Sequence, residues 1–247
     1  MRVPRIYTPQ ALSVADTLEL ESAASKHLLT VLRLKPGALL VLFDGSGHEF
    51  DARLVTVVNR RAHVAITAEC TAHSESPLTI TLVQGISRGE RMDYSLQKAV
   101  ELGVSAIVPV MTERSVVRLD GAGAARKLAH WRQLIISACE QSGRVRLPPV
   151  AAPLLLGQYL AQKPSGDTKL LLDPDSPVSA TALAQPPAGS ILLLVGPEGG
   201  WSDPERHAAR TAGFQGIRLG PRILRTETAA VVALSLLQGL WGDLAHR

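Results

Sequence analysis

The chain has 247 residues, 46% hydrophobic and 19% charged, enough apolar material for a packed core and too little charge for a disordered chain; the length suits a large domain with a small companion. Its net charge of +4 permits a polyanionic partner without demanding one. No apolar run reaches the ~18 residues of a membrane span, no signal-like stretch follows Met1, and neither the cysteines nor the histidines fall at metal-ligand spacing, so a cytoplasmic protein without membrane, disulfide or metal is expected.

Residues 2–7 read as a short strand and 22–32 as a helix with Ala23, Leu28, Val31 and Leu32 on or near one face, punctuated by Pro36-Gly37. His27 and Arg33 stand six apart on this helix and so fall on different faces. Residues 38–43, 48–58 and 63–69 alternate as strands, joined by an Asp44-Gly45-Ser46-Gly47 turn and an Asn59-Arg60 turn. These elements predict a small meander or barrel over residues 1–73, which holds no paired acid and base but carries Arg5, Arg33 and Arg53. The polar, Ser- and Pro-bearing stretch 71–77 reads as a linker, with a second domain over 77–247.

From residue 78 the rhythm changes to strand and helix in alternation: 78–83, 90–102, 106–110, and a long helix over 122–141. Three further apolar runs, 169–172, 191–195 and 216–219, have the continuous character of strands buried on both faces. The expected class is α/β with a mostly parallel sheet. Arg88, Arg114 and Arg144 each follow a strand or close a helix beside a glutamate, Glu140 among them, and such arginines can reach phosphate.

The chemistry is expected near the C-terminus, where a strand ending in Gly196-Pro197 and a strand ending in Gly220-Pro221 both run on into helices. Ser202 and Glu205 form a capping box with Pro204 in the first turn, and Thr226 reads as the N-cap of a final helix over 227–245. In an open α/β sheet, ligands bind beyond the carboxyl ends of strands, so the two loops predict one pocket. Neither a phosphate-binding GxxxxGK[ST] loop nor a complete dinucleotide fingerprint is present: the stretch at 121–126 ends in Arg126. The final helix is apolar nearly all round, which predicts burial all round, in the core or under a partner subunit, hence a homodimer.

Five ordered segments, HLLTVLRLKPG (27–37), QKAVELGVSAIVPVMTERSV (97–116), EQSGR (140–144), VGPEGGWSDPE (195–205) and LGPRILRTETA (219–229), resemble the RsmE family of small-subunit (16S) ribosomal RNA uracil-N3 methyltransferases. Val100 and Trp201 depart from the residues common in that family. The resemblance implies an N-terminal PUA-like RNA-binding β-barrel over 1–73 and a SPOUT-type α/β domain with a deep trefoil knot over 77–247. It assigns the pocket to S-adenosyl-L-methionine, held by Val195, Gly196, Gly200, Leu219, Ile223 and Leu224 and closed by Thr226 and Ala229. It also implies Arg225 as a donor to the uracil and Glu198 as base or positioning group. RNA contacts are expected at Arg5, His27, Arg33, Arg88, Arg114 and Arg144, with Glu140 as a further organising residue. The substrate would be small-subunit ribosomal RNA, free or in an assembled subunit. The competing readings are a non-catalytic RNA-binding protein and a nucleotide-phosphate-binding enzyme using the Gly-rich loop. Binding of S-adenosylmethionine without magnesium, of RNA alone, or of ATP with magnesium separates the three.

Overall fold

A computed structural model describes residues 3–71, 74–183 and 189–244. Two units emerge, Met1–Glu75 with Ile136–Leu147 and Ser76–Ile135 with Pro148–Arg247. The expected boundary at residue 73, the start of the first strand at Arg2 and the end of the last helix at Ala245 lie outside the described residues.

The first unit holds β1 (Arg5–Tyr7), β2 (Thr17–Glu19), the short helix α1 (Ser22–Lys26) continued by a wider π turn over His27–Val31, β3 (Leu39–Phe43), β4 (Glu49–Val58) and β5 (Arg61–Cys70). They form one five-stranded sheet in the order β1-β3-β4-β5-β2, with β1 parallel to β3 and the other pairs antiparallel. Alternating residues of the strands, Leu40, Leu42, Phe50, Ala52, Leu54 and Val64, meet Ile6, Leu20 and Leu28 in a buried core. The one polar intrusion from α1 is satisfied: the Ser25 hydroxyl donates to the Leu20 carbonyl at 2.8 Å and accepts from the Ala62 N–H at 3.1 Å.

Residues 136–147 come to this unit from mid-chain, and Glu75 binds them. Its carboxylate accepts from the Arg144 guanidinium at 2.7 Å and from the Val145 and Arg146 N–H groups at 3.0 and 2.9 Å. Arg144, expected from sequence to reach RNA, is thus held by a carboxylate of its own unit. Its side chain is 5% exposed, because the pair that compensates its charge lies inside the unit.

The second unit contains β6 (Thr79–Gly85), α2 (Glu90–Glu101), β7 (Ala106–Met111), the long helix α3 (Gly121–Ser142) as far as Ile135, β8 (Leu154–Leu155), α4 (Leu156–Ala161), β9 (Thr168–Leu172), β10 (Ser190–Val195), α5 (Asp203–Thr211), β11 (Gln215–Ile217) and α6 (Thr226–Trp241). Its six strands run in the order β11-β9-β10-β6-β7-β8 and every pair is parallel. Residues 191–195 are buried without interruption, as a strand covered on both faces requires. β11 stops two residues short of the expected Leu219. The Arg218 N–H turns to the Val178 carbonyl at 2.9 Å, and the Ala180 N–H returns to the Arg218 carbonyl at 3.0 Å, so the ladder to β9 ends.

α6 packs on α2 through one side only, burying Ala230, Ala233, Leu234, Leu237 and Gln238. The expected burial all round is not met within a single chain: Val232 and Leu240 remain 39% and 38% exposed. Among the described residues no helix is long and apolar enough to cross a membrane, and no group of three His, Cys, Asp or Glu side chains could hold a metal.

Candidate active site

Because the strands of the second unit are parallel, their carboxyl ends share one edge, and the loops that leave β9, β10 and β11 meet there around a cleft of 540 Å³. Val195, Gly196, Gly200, Leu219, Ile223, Leu224, Thr226 and Ala229 all line it, as do Glu198 and Arg225. The cleft thus gathers residues that the sequence separates by more than thirty positions.

Local chemistry sets the first loop. The capping box forms: the Glu205 N–H donates to the Ser202 hydroxyl at 3.4 Å, and the Ser202 N–H donates to the Glu205 carboxylate at 3.0 Å. A turn closes by the Gly200 N–H donating to the Pro197 carbonyl at 2.9 Å, with Gly200 at φ +67°. A side chain there would be strained, and the space beside its Cα is open toward the cleft it lines. Trp201 is buried and donates its indole N–H to the Leu172 carbonyl at 2.9 Å, pinning the loop to the end of β9.

The second loop is joined to the first by a hydroxyl. Thr226 is not the N-cap of α6. Arg225 takes that position without a side-chain cap, and Thr226 turns inward. Its hydroxyl donates to the Gly196 carbonyl at 2.5 Å and accepts from the Gln84 amide at 3.1 Å. A cap needs an oxygen free to take N–H groups of its own helix; here that oxygen serves a partner thirty residues away. Gln84, fully buried at the end of β6, was missed by sequence reasoning, although an amide ending the run Leu82-Val83 is the kind of signal that could have found it.

Glu198 sits at the mouth. Its carboxylate accepts from the Arg88 N–H at 3.0 Å and from the Arg91 guanidinium at 3.3 Å. Burial pushes this carboxyl up, but the Arg88 N–H and the Arg91 charge outweigh it and hold the group below its ordinary value. Such a carboxylate is a poor proton acceptor and a good tether. Arg114 donates to the Gly199 carbonyl at 3.3 Å, and a Cβ on Gly199 would lie 2.8 Å from the Arg114 Cβ. Arg225 is exposed and makes no side-chain hydrogen bond or ion pair among the described residues, with Glu198 and Glu227 included. Asp173, buried at the end of β9, anchors Arg210 at 3.0 Å and Arg206 at 3.5 Å, and sequence reasoning singled out none of these three.

The expected RNA contacts divide between the units. Arg88 and Arg114 belong to the second, beside the cleft loops. Arg5, His27 and Arg33 belong to the first: Arg5 is paired with Glu49 at 2.6 Å, His27 faces Glu140 at 3.4 Å, and Arg33 is exposed at φ +56°.

The cleft suits a flat nucleoside with a short polar tail. Leu172, Leu219 and Leu224 offer apolar surface in the cleft, and the cations that line it are arginines, Arg91, Arg114, Arg206, Arg218, Arg222 and Arg225, with no lysine among them.

Residues 74–238 match the model of an RNA methyltransferase domain, and residues 20–66 match that of an RNA methyltransferase PUA domain. The chain is 33% identical to ribosomal RNA small subunit methyltransferase E of Buchnera aphidicola over 244 residues, 99% of each chain. Among solved structures it is similar to ribosomal RNA small subunit methyltransferase E from Neisseria gonorrhoeae bound to S-adenosyl methionine (47% identity, TM-score 0.91, covering 98% of this chain and 99% of that one). It is also similar to a Legionella pneumophila protein described as a methyltransferase in complex with the bound cofactor SAM (42% identity, TM-score 0.93, 98% and 100% covered).

Proposed function

The chain belongs to the family of ribosomal RNA small subunit methyltransferase E, and from that premise we propose that it methylates N3 of a specific uridine in small-subunit ribosomal RNA, with S-adenosylmethionine held in the cleft between the β10 and β11 loops. One observation carries the reading: the Thr226 hydroxyl ties the two loops into a single cleft in which Leu219 and Leu224 give apolar surface, in a chain whose relatives hold this cofactor. When bound, S-adenosylmethionine supplies a methyl group on a sulfonium, ready for in-line transfer.

Each residue then has a task. Leu219, Ile223 and Leu224 would hold the adenine by apolar contact, and Val195, Gly196 and Gly200 would offer it and the ribose backbone groups. Thr226 and Ala229 close the inner end. The uracil N3 carries a proton at neutral pH; that proton passes to solvent water as the N3–methyl bond forms, and the negative charge that develops falls on the flanking carbonyl oxygens. Arg225, without an internal partner, donates to one of those oxygens. Glu198 is a positioning residue, holding the first loop to the start of α2 through Arg88 and Arg91. Arg88 and Arg114 meet RNA phosphates. The N-terminal unit supplies RNA affinity rather than chemistry, through Arg5, His27 and Arg33, with 1–73 and 77–247 as the working division of labour.

Family membership also supports a deep trefoil knot around the two loops, a cytoplasmic location and a homodimer, with the exposed Val232 and Leu240 of α6 at its interface. The substrate is the small-subunit RNA, free or in an assembled subunit. Calorimetry with S-adenosylmethionine in the absence of magnesium, followed by mass mapping of methylated nucleotides on small-subunit RNA, tests the reading. Absence of cofactor binding, or a methyl group found elsewhere than on a uracil N3, overturns it.

A further inference from the structure

The first unit holds a second hollow, of 470 Å³, which methyl transfer leaves unused. That volume falls within the roughly 300–1,000 Å³ of small-molecule sites. Two charged side chains line it with little exposure, Arg5 at 12% and Glu140 at 11%. Around them Val3 and Leu32 show apolar surface, 42% and 38% exposed. A hollow that sets the apolar Val3, Pro4 and Leu32 beside a largely covered charge of each sign, with His27, Ser137 and Gln141 completing the lining, is built like a site for a flat, polar-edged ligand.

The two charged groups are fixed in place. The Arg5 guanidinium lies 2.6 Å from the Glu49 carboxylate and 5.6 Å from the centroid of the Phe43 ring, while its buried Nε has no hydrogen-bond partner. Glu140 receives the Tyr7 N–H on Oε1 at 3.1 Å and faces the His27 Nδ1 with Oε2 at 3.4 Å. A carboxylate has about four acceptor positions, so these contacts leave one on each oxygen. A phosphate would be repelled by that carboxylate. A ligand that brings two adjacent N–H donors would complete it.

Among the bases of RNA, only guanine offers two neighbouring donors, N1–H and N2–H, at the spacing of a carboxylate. Adenine and cytosine each set one amino donor beside a ring acceptor, and uracil sets its single N–H between two carbonyl oxygens. We infer that this hollow captures one unstacked guanine of the RNA substrate, with its donor edge on Glu140 and its faces against Val3 and Leu32. The inference rests on the RNA-methyltransferase reading. It deepens that reading by giving the N-terminal unit a base-specific contact where backbone attraction alone would read no sequence.

The test uses the full chain and fluorescent single-stranded ribo-oligomers of equal length carrying one central guanine, inosine or uracil in an otherwise adenine sequence. Inosine keeps N1–H and lacks the N2 amino group. The guanine oligomer is expected to bind the wild-type protein roughly tenfold more tightly than the inosine or uracil oligomer, the value of a hydrogen bond to a charged group. Glu140→Gln, which keeps an oxygen for the Tyr7 N–H, should erase that preference, and Leu32→Ala should weaken all three oligomers while the carboxylate keeps its choice. S-adenosylmethionine affinity should be unchanged in both variants, which certifies their fold. Equal binding of the three oligomers by wild-type protein, or an undiminished guanine preference in Glu140→Gln, overturns the inference. A guanine preference in a protein that neither binds S-adenosylmethionine nor methylates would overturn the enzymatic reading and leave the hollow standing.

Discussion

Gly85 and Pro197 approach so closely that a Cβ placed on Gly85 would lie 2.6 Å from the Pro197 nitrogen. The last residue of β6 is thus part of the wall that holds the first cleft loop. Gly85→Ala would force Pro197 outward, and Gly196 with it. Overpacking of this kind costs about 1–3 kcal/mol. Calorimetry should find cofactor affinity reduced by more than the loss of global stability explains, since the displaced backbone is the one Thr226 grips. Unchanged affinity would show that the loop has slack.

At Gly200 the limit is conformational. Its φ of +67° excludes a β-branched side chain without strain of about 1–3 kcal/mol, and the first atoms of that side chain would project into open space beside the loop. Gly200→Val should therefore abolish cofactor binding while thermal unfolding stays cooperative. Wild-type affinity in the folded variant would remove this glycine from the site.

Arg225→Ala should slow methyl transfer by about two orders of magnitude, ~2–4 kcal/mol, with little change in cofactor affinity, because the donor acts as charge develops on the uracil. A purely structural arginine would need an internal partner, and Arg225 has none among the described residues. Single-turnover methylation at saturating RNA and cofactor measures the effect. A rate within about threefold of wild type, under ~1 kcal/mol, would take Arg225 off the list of acting groups.

Glu75→Ala should destabilise the first unit by about 2–4 kcal/mol, less than a fully buried pair because Glu75 remains 23% exposed. Burial pushes the Glu75 carboxyl up, but Arg144 and the backbone N–H groups of Arg146 and Val145 outweigh it and hold the carboxyl below its ordinary 4.5. Its contribution is therefore whole above pH 4.5 and fades as the pH falls through the lowered folded value. Denaturant melts of variant and wild type should converge in acid and separate toward neutrality. A gap independent of pH would assign the loss to packing alone.

Local signals made much of this legible. The Ser202-Glu205 capping box, the Asn59-Arg60 turn at φ +48° and +63°, and the buried run over 191–195 follow from residues within a few positions of one another. What escaped has its cause far along the chain. β2 is three residues long and exists only through its antiparallel partner β5. Nothing near Arg144 in sequence announces its partner Glu75, 69 positions earlier. Thr226 has the composition of a cap, and only Gly196 across the cleft shows why it is not one. The apolar composition of α6 carries no mark of which face meets α2, and Val232 and Leu240 stay exposed where burial all round is expected from sequence.

The strand order of the second unit has a temporal meaning. β9 lies between β11 and β10, both of which follow it in the chain, and β6 has only β7 beside it until residues 190–195 exist. Pairings of such sequence separation are slow, since loop closure must precede any reward from contact. As the polypeptide emerges, β9 waits unpaired, and the hydroxyl that fastens the two cleft loops arrives at residue 226 of 247. The tie between the two cleft loops thus forms only after every strand of the second sheet has been made. Shortened products ending before α6 would keep every strand of the N-terminal sheet and lack the hydroxyl that joins the cleft loops.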